Sequence, residues 1–335
     1  MSLPREKLRI NCCDLPQGYE FSNHIFKLIE QLCDVEVSDD PEVVLYGPWG
    51  AEFQKYKCLR IYYTGENTRP NFKQCDYAFS FDYSNNSRNY RFPDYAGYAD
   101  VTLLTRAKDI GEIARSKTKF CNFVYSNPMA PTRIRFFKAL SEYRRVDSFG
   151  KVLNNMPKGG QSETGNDWMV TKLASLGDYK FTIAFENESY SGYVTEKIIH
   201  PMLANSIPIY WGNPLIHKDF NTKSFINCHD YPNFAEVIKR VIEIDNNDEI
   251  YQRMLAEPWY MGNKVPDSVR EESILQRLKL IIDGRKQIEP VALQNLPTTR
   301  SEVRDSLWGR HSRITRLIYK WKLKYYSKKY VSDNA

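Results

Sequence analysis

Short apolar runs of strand length alternate with helix-length amphipathic segments from the first residues onward. This alternation restricts the chain to α/β folds built on parallel or mixed sheets. Residues 8–12 read as a strand, 22–33 as a helix and 43–46 as a strand closed by Gly47-Pro48. Further strands are expected at 58–64 (CLRIYYT) and 77–81. A second series opens with a strand at 120–125 (FCNFVY), turns at Ser126-Asn127-Pro128 and enters a helix over 131–143. Pro131 falls in its first turn, where a missing N–H costs nothing. Beyond a Gly/Asn/Ser-rich stretch at 154–166, expected as a mobile loop, come a strand at 181–185, a helix over about 193–204 and a strand at 207–211. Pro201 falls inside that helix, which is therefore expected to be kinked or to begin later. Helices at 234–244 and 271–282 complete a doubly wound second unit.

At about 150 residues per domain, 335 residues make two such units. The boundaries are set at 1–117 and 118–287, with an extension at 288–335. Two units of this kind are expected to face each other across a cleft. The hydrophobic fraction of 42 % excludes a disordered chain. Net charge is +6, but residues 310–335 hold eight Lys and Arg against one Asp, so the remainder is near neutral. The basicity belongs to the tail. Within 312–330, Ile314, Leu317, Ile318, Trp321 and Tyr325 share one helical face with Lys and Arg around them, which reads as peripheral binding to an anionic membrane surface. Docking of that face on the protein's own body is the alternative. The seven cysteines show no C-x-x-C spacing and read as buried thiols of a reducing compartment. The opening MSLPREKLRI has no apolar core of a signal peptide, and no window approaches a membrane span. The expected location is cytoplasmic, peripheral on the inner face of the membrane.

The chemistry concentrates in FENESYSGYVTEKIIHPMLANSIPIYWGNP, residues 185–214. Charged residues there occupy the end of one strand and the first turn of the next helix, the crevice where doubly wound sheets bind anions. Lys197 would supply a point charge, and Glu196 a carboxylate beside a developing cation. An anionic leaving group next to a developing cation describes transfer from a nucleotide sugar.

This segment closely resembles the signature of the α-1,3-fucosyltransferases, glycosyltransferase family ten. Tyr63-Thr64-Gly65-Glu66-Asn67, Asn122-Phe123-Val124 with Ser126-Asn127, Arg133, and Phe220-Asn221 with Lys223-Ser224-Phe225-Ile226-Asn227 follow in family order. The resemblance implies a GT-B fold, with two Rossmann-like domains. It further implies GDP-fucose as donor, an oligosaccharide acceptor held by the first domain, and inverting transfer of L-fucose to O3 of GlcNAc in N-acetyllactosamine-type or type 1 glycans. By the same resemblance Glu66 is the candidate base and Glu196 sits near the fucose ring or ribose. Arg133 and Lys197 would neutralise the diphosphate, and Asn187, Tyr193 and Thr195 would contact the donor. No D-x-D is present, so no metal ligands are assigned; Arg133 and Lys197 could replace the ion, leaving a divalent metal at most stimulatory.

Each residue also has a plainer reading. Gly-Glu-Asn after a strand is ordinary turn chemistry. Arg133 could be solvated like Arg135 beside it, Glu186 reads first as a structural carboxylate bonding backbone, and His200, His217 and His229 lack metal spacing. Three rival functions stand beside the leading one. They are a related GT-B transferase with another nucleotide sugar or linkage, a nucleic-acid binder acting through the tail, and a lectin-like binder. The near-neutral body argues against nucleic acid.

Overall fold

A computed structural model of the chain describes residues 5–157 and 173–293, together with Lys324, Tyr325 and Lys329. Most of the loop expected at 154–166, and the tail helix expected at 312–330 apart from those three residues, lie outside the described residues. Two compact units emerge, 5–99 with 266–293 and 100–157 with 173–265. The two Rossmann-like α/β domains of the GT-B class are present.

The first unit is built on a six-stranded, all-parallel sheet in the order β2-β1-β3-β4-β5-β6. Its strands are β1 (Lys7–Cys13), β2 (Asp34–Val37), β3 (Val43–Tyr46), β4 (Leu59–Tyr63), β5 (Tyr77–Ser80) and β6 (Asn89–Arg91). β3 and β4 are buried throughout, as expected of central strands covered on both faces. Helix α1 (His24–Leu32) starts at Asn23, whose side chain accepts from Phe26 N at 2.9 Å.

The second unit has a five-stranded parallel sheet in the order β11-β10-β9-β7-β8. Its strands are β7 (Lys119–Phe123), β8 (Val146–Ser148), β9 (Tyr179–Phe185), β10 (Ile207–Trp211) and β11 (Ile226–Asn227). Helices α2 (Ile110–Ser116), α3 (Pro131–Tyr143), α4 (Glu196–Leu203), α5 (Phe234–Asp245) and α6 (Asp248–Ala256) belong with it. In each sheet the first strand of the unit lies between the second and the third, so chain direction across the sheet reverses there. Ligands of doubly wound sheets bind at the carboxyl ends of the strands at such a reversal.

The domain boundaries differ from those read off the sequence. The seam falls at Ala99/Asp100 rather than after 117, and helix α7 (Glu271–Gly284) belongs to the first unit, not the second. Ile274, Leu278, Ile281 and Ile282 form its buried face, and it packs on α1. Beyond it, Arg285 reaches Glu6 at 2.8 Å and Glu42 at 3.1 Å. The chain thus returns to its starting domain through contacts some 240 positions apart, which no local pattern reveals. Helix α4 begins at Glu196, later than the expected 193, and carries Pro201 in its interior.

Candidate active site

At the carboxyl end of β7, Tyr125 bridges to β9. Its hydroxyl donates to Ile183 O at 2.9 Å and accepts from Phe185 N at 2.7 Å. Gly150 is required behind it, because a Cβ there would lie 2.2 Å from Tyr125 O. Helix α3 turns Arg133 inward while Arg135 stays exposed. The Arg133 guanidinium lies 4.2 Å above the Tyr125 ring, and its Nη2 donates to Asn187 Oδ1. Arg133 is 1 % exposed, and its Nε has no hydrogen-bond partner. Burial lowers its pKa, whereas the Tyr125, Glu186 and Glu196 groups favour the charge. Burial pushes the Tyr125 phenol up to about 12, against the pull of the Arg133 and Lys197 charges.

The β9–α4 connection brings the second cation to the same strand ends. Glu186 is fully buried and accepts from Thr195 N at 2.8 Å and Thr195 Oγ1 at 2.7 Å. Lys197 Nζ lies 2.9 Å from Thr195 Oγ1, 3.4 Å from Glu196 and 3.5 Å from Glu186. Burial works against the Lys197 charge, but Glu196 and Glu186 outweigh it and raise its pKa above that of an ordinary lysine. Glu186 itself is raised by burial, with Lys197 opposing. It therefore fastens the helix start and steadies the ammonium, in keeping with its structural reading. The loop between them is pinned by residues that follow β10. Gly192 N donates to Asn213 Oδ1 at 2.8 Å, and Ser189 Oγ donates to Gly212 O at 2.7 Å. Tyr193, within this loop, is buried.

The structure thus brings Arg133, Asn187, Tyr193, Thr195, Glu196 and Lys197 together on the second unit. Glu66 belongs to the first unit, where it follows β4 on an exposed turn. Its N–H donates to Thr64 Oγ1 at 2.9 Å. It lines a cavity of about 110 Å³ with Tyr63, Tyr98 and Asp94. Gly65 is needed because a Cβ there would sit 2.3 Å from Asp94 Oδ1. Tyr125, Gly150 and Asp94 were missed as site residues in the sequence, and Gly212 and Asn213, although inside the motif at 185–214, were given no role there. Nothing local says what the two glycines must accommodate. His229 bonds Gly212 O at 3.0 Å and stacks on Trp211, while His200 is buried and His217 exposed. Among the described residues no group of three or more His, Cys, Asp or Glu could hold a metal ion.

Residues 10–98 match the model of the alpha-(1,3)-fucosyltransferase FucT N-terminal domain, and residues 114–276 match that of the glycosyltransferase family 10 (fucosyltransferase) C-terminal domain. A crystal structure of an alpha1,3-fucosyltransferase is 30 % identical with a TM-score of 0.70, covering 83 % of this chain and 91 % of that one. The chain belongs to glycosyltransferase family 10. The crystal structure of an alpha1,3-fucosyltransferase with GDP-fucose matches this family-10 chain at 28 % identity and a TM-score of 0.69, over 84 % of this chain and 92 % of that one. The alpha-(1,3)-fucosyltransferase FucT of Helicobacter pylori is 33 % identical over 281 residues, 71 % of the family-10 chain and 56 % of the relative. A putative fucosyltransferase of Acanthamoeba polyphaga mimivirus is 42 % identical over 151 residues, 44 % of this chain and 25 % of that protein. The chain spans about half the length, or less, of these curated relatives.

Proposed function

We propose that this chain transfers L-fucose from GDP-fucose to O3 of GlcNAc in N-acetyllactosamine-type or type 1 glycans, giving Lewis-type products with inversion at fucose C1. The observation that carries the reading is the buried Arg133 guanidinium at the ends of β7 and β9, with Lys197 at the start of the following helix. Two cations at a strand-order reversal, one of them held by a ring and an amide, suit a diphosphate. A similar fold whose crystal structure contains GDP-fucose supports the choice of donor.

In the proposed reaction the acceptor hydroxyl oxygen attacks fucose C1, the bond from C1 to the β-phosphate oxygen breaks, and GDP leaves. Glu66 takes the hydroxyl proton, a role typically contributing about 10²- to 10⁴-fold. Arg133 and Lys197 stabilise the charge growing on the diphosphate, and Glu196 faces the cationic ring. With two protein cations on the diphosphate, we expect transfer to need no divalent metal; activity lost to chelator and restored only by a metal would contradict this. The seven free cysteines fit the cytoplasm, and we assign residues 312–330 to contact with anionic lipid. Sedimentation with anionic vesicles, before and after truncation beyond Gly309, tests that contact.

The main test is product analysis with GDP-fucose and a mixture of lactosamine, type 1 disaccharide and lactose, beside a panel of other nucleotide sugars. GDP-fucose should be consumed and Glu66→Gln should lose turnover far more than donor affinity. Consumption of a different donor, or an unimpaired Glu66→Gln, overturns the assignment.

A further inference from the structure

The ladder between β7 and β9 ends at Asn122 and Thr182, whereas β9 stays paired with β10 as far as Phe185 and Trp211. The strands part where the anion-binding crevice opens. Ile183 O and Phe185 N are the acceptor and donor that a residue of a parallel strand opposite Ala184 would engage. The Tyr125 hydroxyl serves both, donating to the first at 2.9 Å and accepting from the second at 2.7 Å. A side chain thus replaces the missing rung of the sheet.

Tyr125 is fixed from its other sides as well. Val152 N donates to its carbonyl at 2.9 Å, Gly150 leaves no room for a Cβ against its main chain, and its ring lies on that of Phe123 with centroids 4.6 Å apart. The Arg133 guanidinium lies over this anchored ring, 4.2 Å from its centroid. Arg133 comes from a different element, α3. Its Nη2 donates to Asn187 Oδ1, and its Nε has no hydrogen-bond partner. An arginine side chain turns about several bonds, so one amide contact would leave the fork free to swing. Stacking on a fixed plane removes that freedom before a ligand arrives.

We infer that Tyr125 is a positioning residue for nucleotide binding: its hydroxyl locks the phenol ring between the parting strands, and the face of that ring holds the Arg133 fork ready for the two phosphates of the donor. The inference rests on the diphosphate role proposed above for Arg133 and adds the group that acts through it. What the arginine requires is the electron-rich face of the ring, beyond the bulk of the side chain.

Calorimetric titration of the full chain with GDP tests this in a double-mutant cycle. Tyr125→Leu keeps apolar bulk and loses the face; it should weaken GDP binding about tenfold, but by less than about twofold where Arg133 is already replaced by alanine. Tyr125→Phe keeps the face and loses both hydrogen bonds to β9; it should melt at a lower temperature while binding GDP within about threefold of the unaltered chain. Replacing Tyr125 by pentafluorophenylalanine gives a ring shaped much like that of phenylalanine but with its charge distribution reversed. That variant should bind GDP about fivefold more weakly than Tyr125→Phe, with the same melting temperature. This comparison decides the matter should Tyr125→Leu not fold. A loss in Tyr125→Leu that persists undiminished in Arg133→Ala, or a fluorinated ring that serves as well as phenylalanine, overturns the inference alone and leaves Tyr125 a prop for β9. Failure of the unaltered chain to bind GDP overturns the donor reading and this inference with it.

Discussion

Gly212 lies directly against Glu186: a Cβ on Gly212 would come within 2.4 Å of Glu186 Cγ and 2.7 Å of the Tyr210 hydroxyl. The absence of a side chain after β10 therefore lets a fully buried carboxylate reach Thr195 and Lys197. Sequence position separates the two residues, but the parallel pairing of Phe185 with Trp211 puts them side by side.

Gly212→Ala should push Glu186 off Thr195 and leave Lys197 poorly held. Overpacking of this kind costs about 1–3 kcal/mol. We expect a lower melting temperature together with a rise of about tenfold in KM for GDP-fucose. A variant with unchanged donor KM would show that Glu186 does not steady the lysine.

Arg133→Lys should not rescue the loss caused by Arg133→Ala. An ammonium cannot stack its plane on Tyr125 while donating to Asn187, and it lacks the fork that grips a diphosphate. Loss of a charge-assisted hydrogen bond, about 1.5–3 kcal/mol, corresponds to roughly 10- to 100-fold in donor affinity. Calorimetric titration with GDP on both variants checks this; near-native affinity in the lysine variant would count against the role given to the guanidinium.

Local pattern made much of this fold readable. The strand at 43–46 and the helix over 131–143 lie where apolar runs, Gly47-Pro48 and Pro131 place them. Very short strands such as Ile226–Asn227 and Val146–Ser148 escaped, because two or three residues carry no periodicity and exist only through pairing with β10 and β7. Arg133 and Arg135 look alike in sequence; only the docking of α3 buries one and exposes the other. Glu196 and Lys197 were legible from their place after a strand end, and the family motif added the other candidate residues, whereas what the nearby glycines and aromatics hold is legible only in three dimensions.

Asp76→Ala should be among the most destabilising single changes in the first unit. Asp76 and Arg60 are 3 % and 2 % exposed, 3.8 Å apart. Asp76 also accepts from Arg60 N at 2.8 Å and Val291 N at 2.7 Å, joining the returning segment to β4. Removing it leaves a buried cation and two backbone donors without their acceptor, at a cost of about 3–5 kcal/mol. Chemical denaturation should record that loss, and a drop of under about 1 kcal/mol would mean that water reaches Arg60.

Lys108 gives the clearest pH dependence. Its ammonium donates to Leu255 O and Glu257 O, each at 2.7 Å, and lies 3.7 Å from the centre of the Trp259 ring. Burial lowers its pKa from 10.5 to about 8, with Glu257 opposing. Between about 8 and 10.5 the unfolded chain therefore holds a proton that the folded chain has released. Stability contributed by this group rises with pH across that window and is lost again as pH falls through about 8. Buried tyrosines and cysteines, whose pKa values are raised, drive the opposite trend in alkali, so the comparison must be made against Lys108→Met, in which they are unchanged. The melting temperature of the wild type relative to the variant should climb from pH 8 towards pH 10. Parallel curves over that range would place the Lys108 pKa at its ordinary value and its ammonium in water.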